Sequence, residues 1–358
     1  MKLKFFTLVS LLFSGAFLSA QMSGMMTMQQ NSNSRGTALG ANTTTGAAGI
    51  ALGNRVVMRG YVDFIFKYED GMTEAPFPSV GMGTSQTEDF KTSADVDFLF
   101  DFSPVTGEIH LNANSSGVSL EQVFGRYALN RDFNISFGRQ LTALGYEADE
   151  SPGLFAVTNA YYLDSLLSTA LGINVKTRRN YKDGIRANFN NGRFGFTLGL
   201  HDGYWDNEDF NGDNIAIDIA ASLMIVPGLE ARLGYAQEEI HSANDDVSQF
   251  NAWIAYNPGD LTLAFEYDNY DIATADYWDL MLLANYQFNE VFGATFRYSH
   301  ENLEEGAFDS DADRLTFALL FTITQNLFFN VEYSHAEVDT TSGDYDVDEF
   351  YLEALLTF

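Results

Sequence analysis

The sequence predicts an all-β fold, a transmembrane antiparallel β-barrel of about sixteen strands, and three observations lead to it. The chain ends in an alternating segment, residues 350–358, whose last residue is Phe. Its first twenty residues look like an export signal, and most of the remainder repeats the same alternation with a period of two. A barrel strand needs this alternation because one face meets lipid and the other a wet lumen.

The terminal segment divides cleanly into two faces if it is extended. One face carries Phe350, Leu352, Ala354, Leu356 and Phe358, and the intervening positions carry Tyr, Glu, Leu and Thr. An edge strand of a soluble sheet would show the same pattern, so the rest of the chain decides between the two. In a barrel, we expect the barrel-assembly machinery of the outer membrane to bind this C-terminal strand.

Residues 1–20 have the composition of a signal peptide. Lys2 and Lys4 precede an apolar run, residues 5–17, and Leu-Ser-Ala ends the segment with small residues suited to cleavage. We therefore expect export to the outer membrane of a Gram-negative-type bacterium, in contact with its lipid and lipopolysaccharide. Cysteine is absent. Without disulfides, an exported chain has to rely on sheet pairing, which a closed barrel supplies.

Residues 21–54 are rich in Met, Ser, Thr, Asn, Gly and Ala and show no periodicity, which indicates a flexible N-terminal arm. The barrel is predicted to occupy residues 55–358. The formal net charge of −30 excludes nucleic acid as a partner, since phosphate binding needs an excess of bases. The acidic excess indicates either solvated loops or an acidic surface and lumen.

Sixteen alternating segments follow one another after residue 55, and barrels of fourteen or eighteen strands are the alternatives. They are 62–68, 94–102, 109–113, 123–129, 133–137, 185–189, 194–200, 215–223, 229–235, 250–256, 261–267, 278–286, 292–298, 315–323, 327–333 and 350–358. Short turns rich in Asn, Pro and Gly alternate with mostly longer polar loops. Outer-membrane barrels have this asymmetry, with short turns on the periplasmic side.

The third long loop, residues 142–180, is the longest of these connections. A loop of such length without structure of its own is usually functional. We predict that it folds into the lumen and narrows it. Between residues 120 and 193 there are nine bases and seven acids, in a chain that has 19 bases and 49 acids altogether.

This local basic cluster and the carboxylates of the loop are the predicted pore constriction. Its residues are Arg126, Arg139, Glu147, Asp149, Glu150, Asp164, Lys176, Arg178, Arg179, Lys182, Arg186 and Arg193. Strand alternation places Arg126, Arg186 and Arg193 in the lumen, where basic side chains favour anions. It also places Arg59, Arg232, Arg297, Arg314 and acids such as Asp95, Asp97, Asp218, Glu266 and Glu332 there. The alternative is that these arginines only pair with neighbouring acids and stiffen wall and loop.

Residues 133–147, Phe-Asn-Ile-Ser-Phe-Gly-Arg-Gln-Leu-Thr-Ala-Leu-Gly-Tyr-Glu, and the following Glu150-Ser-Pro-Gly resemble the β-barrel porin-2 family. His201–Asp206 is similar to that family's aromatic, Asp-rich loop, and the resemblance is clear over residues 118–240. Ala143 departs from it, since relatives often have Pro there. The resemblance implies an outer-membrane channel for small solutes, and by analogy with sixteen-strand porins a homotrimer.

Enzymatic and metal-dependent functions find little support in the sequence. The five histidines have no metal-ligand spacing, and Ser299-His300 and Ser334-His335 are adjacent, so each pair points to opposite faces of a strand. We expect no enzyme activity, no cofactor and no metal. The predicted function is passive diffusion of small hydrophilic solutes and ions. The alternative is a structural barrel that anchors acidic surface loops and has no open pore.

Overall fold

The structure is a computed structural model that describes residues 49–73, 85–161, 180–205, 215–240, 245–272, 275–341 and 343–358. These residues form seventeen strands and one 3-10 turn, Ser151–Gly153. The strands are β1 (Ile50–Ala51), β2 (Val56–Thr73), β3 (Ser85–Phe102), β4 (Val105–Asn114), β5 (Gly117–Ala128), β6 (Phe133–Leu141), β7 (Tyr181–Asn190), β8 (Phe194–Asp202), β9 (Ile215–Val226), β10 (Leu229–Ile240), β11 (Asp245–Tyr256), β12 (Leu261–Ile272), β13 (Ala275–Gln287), β14 (Phe292–Glu305), β15 (Phe308–Thr322), β16 (Leu327–Thr340) and β17 (Gly343–Thr357). Over the described residues, none of the helical structure is long and apolar enough to cross a membrane.

Strands β2 to β17 form a closed antiparallel barrel. Each pairs with the next along the chain, and β17 pairs with β2 over a register that includes Leu352 opposite Phe66. Beyond this register, the backbones of Gly60 and Phe358 exchange two hydrogen bonds of 3.0 Å. Closure leaves these strands without an open edge, which is the condition for a sheet to exist in lipid. The sixteen predicted strands and their order are confirmed.

The additional strand β1 was not predicted. It is two residues long, and Ile50 and Ala51 pair with Met58 and Val57 of β2. It therefore lies within the region 21–54, for which the sequence predicted no regular structure. Residues 1–48 are outside the described residues, so the signal peptide and the rest of the arm stay predictions.

The two faces of the barrel wall differ as the alternation requires. On β12, Leu263 and Phe265 are exposed on the outward face, while Glu266 and Asp268 are fully buried on the inward face. The same contrast recurs on the other strands, where exposed Phe, Leu, Ile and Tyr alternate with buried polar residues. The barrel thus has an apolar outer surface and a charged interior, as in outer-membrane barrels.

The short turns at one end set the register of the hairpins. At Asn191-Gly192, the Asn191 side-chain oxygen accepts hydrogen bonds from the backbone N–H groups of Arg193 and Phe194. Gly192 adopts a φ of 84°, a conformation that glycine takes without strain. The start of β2 and the end of β17 lie at this same end of the barrel. The long connection between β6 and β7 leaves from the opposite end.

Candidate functional site

The described part of the β6–β7 connection, residues 142–161, is bonded to the inward face of the barrel wall; we call it the β6–β7 segment. The backbone N–H of Ala143 donates to Asp218 on β9 at 3.1 Å, and that of Tyr146 donates to Glu266 on β12 at 2.6 Å. Residues 162–179 lie outside the described residues. The inward path of the whole loop, residues 142–180, therefore remains a prediction.

Arg297 on β14 is the main basic contact of the segment. Its guanidinium donates to Glu147 Oε1, to the carbonyl oxygen of Thr158 and to that of Asn159, each at 2.7 Å. A guanidinium offers five donors in a fixed plane, which suits it to joining several acceptors. Arg314 on β15 adds a hydrogen bond of 3.2 Å to the Asn159 carbonyl. These contacts bring Glu147 and residues 158–159 to the same part of the wall.

Glu332 on β16 binds the same part of the segment. Its carboxylate accepts hydrogen bonds from the N–H groups of Val157 and Thr158 at 2.6 and 2.9 Å, and from the Thr158 hydroxyl at 2.5 Å. Two consecutive N–H groups pointing at one carboxylate oxygen satisfy backbone donors that the irregular segment leaves unpaired. The wall therefore supplies the hydrogen bonds that secondary structure would otherwise provide.

An apolar contact complements these polar ones. The rings of Tyr146 and Phe155 are stacked with centroids 6.3 Å apart, and Tyr146 meets Trp253 of β11 edge-on at 5.4 Å. Met281 and Leu283 of β13 belong to the same buried cluster. Aromatic pairs in this geometry add to the stabilisation from burial. Burial, and then the negative charge of Glu147, raise the pKa of Tyr146.

The turn of the segment at Glu150 approaches the wall strands β2, β3 and β5. The Ser151 hydroxyl donates to Asp63 on β2 at 2.7 Å. One carboxyl oxygen from each of Glu150, Asp95 and Glu121 lies within 4.8 Å of the others. Burial, and then the negative charges of the neighbouring acids, raise the pKa of Glu150 well above its usual range.

Six of the eight predicted constriction residues within the described part of the chain lie on the segment or on the inward face of the wall. Arg126 faces inward 3.6 Å from Glu108, and Arg186 lies 3.4 Å from Asp218. Lys182 is buried on the inward face of β7. Asp149 accepts a hydrogen bond of 2.7 Å from the Tyr181 hydroxyl. Four further predicted residues lie outside the described residues: Asp164, Lys176, Arg178 and Arg179.

Two predicted residues are placed elsewhere. Arg139 lies on the outward face of β6 and pairs with Asp183 at 3.5 Å, on the same face as the exposed Phe137. The alternation of β6 already contained this information, since Arg139 is two residues from Phe137. Arg193 precedes β8 in the exposed turn, with its guanidinium 5.5 Å from the Phe194 ring centroid. Strand alternation does not apply there because the strand begins at the next residue.

The site also includes residues that the sequence did not single out as functional. Thr158 and Asn159 supply three of the acceptors for Arg297. Arg297 and Glu332 were predicted to face the lumen, but not to hold the segment. Because Glu147 and Arg297 are 150 positions apart, no local pattern connects them.

A closed sixteen-strand barrel with an apolar outer surface, a charged interior and a long connection bonded to its inner wall defines the porin class of outer-membrane proteins. The chain belongs to the family described as putative beta-barrel porin-2, OmpL-like, whose model matches residues 18–354. The resemblance seen in residues 118–240 is thereby confirmed over most of the chain. No curated protein sequence matches this chain.

Solved porins share the fold at low sequence identity. The Salmonella typhi OmpF complex with daunomycin is 12% identical, with a TM-score of 0.59 over 86% of this chain and 98% of that one. The anion-selective porin from Comamonas acidovorans is 12% identical, with a TM-score of 0.58 over 85% and 99%. In-vitro folded OmpT of Vibrio cholerae in its trimer form is 13% identical, with a TM-score of 0.54 over 85% and 100%. At such identities the likeness shows the fold alone.

Proposed function

We propose that this protein is a passive diffusion channel for small hydrophilic solutes and ions across the outer membrane of a Gram-negative-type bacterium. The observation that carries the proposal is the closed barrel of sixteen strands whose inward face is polar and charged. Barrels of this size are wide enough to leave an aqueous channel, whereas eight-stranded barrels are filled by their own side chains. The porin family of the chain supports the same function.

The constriction of this channel is proposed to lie where the β6–β7 segment meets the wall. Contacts to β9, β12, β14 and β16 support this location, because they hold the segment against the inward face. Arg126 on β5 and Lys182 and Arg186 on β7 are proposed to line one arc, and Glu147 and Glu150 belong to the segment. Solutes would pass between these charged groups, which favour small polar molecules over apolar ones.

Further parts of the proposal rest on the class of protein. We infer a cleaved signal peptide, assembly of the C-terminal strand by the barrel-assembly machinery, and contact with lipopolysaccharide on the outer leaflet. A homotrimer is proposed on the example of the trimeric OmpT structure. No catalytic activity is proposed, since the family and fold are those of a channel.

The test is single-channel recording of the purified, folded protein in a planar bilayer. We expect steady conductance steps, which heat-denatured protein from the same preparation does not produce. A variant with residues 147–158 replaced by a Gly-Ser linker of equal length should have a larger single-channel conductance, because the wall contacts of the segment are lost. A folded, heat-modifiable barrel without conductance in either form would contradict the channel and support the anchoring role.

A further inference from the structure

Three carboxylates from three different parts of the chain converge where the β6–β7 segment meets the wall. Asp95 comes from β3, Glu121 from β5 and Glu150 from the segment. One oxygen from each lies within 4.8 Å of the other two. Asp95 also forms a second group of the same closeness with Asp97 and His110. We call Asp95, Glu121 and Glu150 the acidic triad.

The environment of Asp95 distinguishes the acidic triad from a chance grouping of acids. Its side chain is fully buried, and neither of its carboxylate oxygens accepts a hydrogen bond. Within the described part of the chain, no base forms an ion pair with it. A buried carboxylate without a hydrogen-bond donor or counter-charge is strongly disfavoured unless it is neutralised. A proton or a bound cation would neutralise it.

The nearby bases are directed to other acids. His110 lies between Asp97 and Glu108, with ring nitrogens 2.8 and 3.1 Å from the two carboxylates. Arg126 also approaches Glu108, at 3.6 Å. Arg59 is opposite Asp97 in the register of β2 and β3. His110 and Arg126 thus pair with Asp97 and Glu108, whereas Asp95 forms an ion pair with none of the described bases.

We propose that the acidic triad binds a divalent cation, with Ca²⁺ as the best fit. Ca²⁺ binds oxygen ligands at about 2.3–2.6 Å, so two oxygens on one ion are at most about 5 Å apart. The triad meets this limit with all three of its oxygens. Carboxylates alone favour Ca²⁺ over Zn²⁺, which prefers nitrogen and sulfur. Mg²⁺ fits less well because it demands a near-ideal octahedron and rarely gives up several waters.

The position of the site gives the ion a structural role. Asp95 and Glu121 belong to the wall, whereas Glu150 belongs to the segment, so the ion would connect one to the other. Ser151, the next residue, already donates a hydrogen bond to Asp63 on the wall. Bound Ca²⁺ would therefore hold this turn of the segment at the wall and reduce the negative charge beside the channel. This consequence rests on the proposed channel function, but the binding itself does not.

The experiment is isothermal titration of Ca²⁺ into the detergent-solubilised full-length protein after chelator treatment and dialysis. We expect one saturable site in the wild type. Asp95→Asn and Glu150→Gln should each weaken binding about tenfold or more, because each removes a charged ligand. Asp279→Asn is the matched control, since Asp279 is equally buried but lies on β13, across the barrel. It should bind Ca²⁺ like the wild type.

Folding is checked separately for each variant by heat-modifiable migration in gels. Glu150 lies outside the strands, so Glu150→Gln tests the site even if Asp95→Asn fails to form a barrel. Absence of a saturable site in the wild type would overturn the proposal. So would equal affinity in wild type, Asp95→Asn and Glu150→Gln, which would assign Ca²⁺ to the acidic loops. A protein that conducts without binding Ca²⁺ refutes only the site, and one that binds without conducting refutes only the channel.

Discussion

At the scale of single residues, Arg297 is the clearest case of a side chain that contacts residues far away in the sequence. It is almost fully buried, and its partners Glu147, Thr158 and Asn159 are 138 to 150 positions away in the chain. A buried guanidinium is costly to desolvate, and its contacts offset that cost only when the geometry is good. Removing it leaves Glu147 without this partner inside the barrel.

Replacing Arg297 with Met should therefore release the β6–β7 segment without unfolding the barrel. Breaking one side of a buried ion pair costs about 3–5 kcal/mol, and here the cost falls on segment docking rather than on strand pairing. We expect larger and noisier single-channel currents than in the wild type, together with faster proteolysis within residues 142–161. Both are measured on protein that still migrates as a folded barrel.

The matched control is Arg126→Met, which removes an inward-facing arginine that pairs with Glu108 of the wall. It removes the same charge but no contact to the segment, so its current noise should stay at the wild-type level. If both variants behave alike, charge rather than docking controls the current. Unchanged currents and unchanged proteolysis in Arg297→Met would show that the other contacts suffice to hold the segment.

At the scale of elements, barrel closure depends on a close approach at Gly60 of β2. A Cβ placed on Gly60 would lie 2.1 Å from the backbone oxygen of Asp95 on β3 and 2.8 Å from the Phe358 ring. The first of these is a backbone atom, which cannot move aside without shifting the strand. Gly60 also exchanges both backbone hydrogen bonds with Phe358. The absence of a side chain at Gly60 thus allows both strands that pair with β2 to approach it closely.

The variant Gly60→Ala should destabilise the closed barrel by about 1–3 kcal/mol, the usual cost of overpacking. Gly107→Ala is the control, because a Cβ on Gly107 meets its nearest neighbour at an ordinary 3.7 Å. The measurement is the urea midpoint of unfolding in lipid or detergent, followed by heat-modifiable migration. Equal midpoints for the two alanine variants would mean that β2 and β3 adjust without cost and that the close approach is not limiting.

Strands could be predicted from the sequence and the segment contacts could not, for a physical reason. The two faces of a strand such as residues 261–267 can be predicted from its own sequence. Apolar residues face lipid, and the residues between them face the lumen. The contact of Glu147 with Arg297 depends on how the whole barrel closes, and no window of sequence contains both. Arg193 was misplaced because the alternation of β8 was extended to the residue before the strand begins. The two-residue strand β1 is too short to show any period.

At the scale of the whole molecule, acids dominate the interior. Among the described residues with buried charged side chains, fifteen are acids and six are Lys or Arg. The acids are Asp63, Asp95, Asp97, Glu108, Glu147, Glu150, Asp218, Glu238, Glu266, Asp268, Asp279, Glu301, Glu332, Glu349 and Glu353. The bases are Arg59, Lys182, Arg186, Arg232, Arg297 and Arg314. The predicted basic cluster is thus a minority of the charge that the described wall and segment present inward.

This balance predicts that the channel prefers cations. Under a salt gradient, the reversal potential should have the sign of cation selectivity. The preference should decline between 0.1 and 1 M salt, because the screening length falls from about 10 to about 3 Å. Uptake of an uncharged sugar into liposomes, measured at the same two salt concentrations, is the control and should not change. Anion preference would instead indicate that Arg126, Lys182 and Arg186 determine the selectivity, since only bases close to the path of the ions could outweigh so many acids.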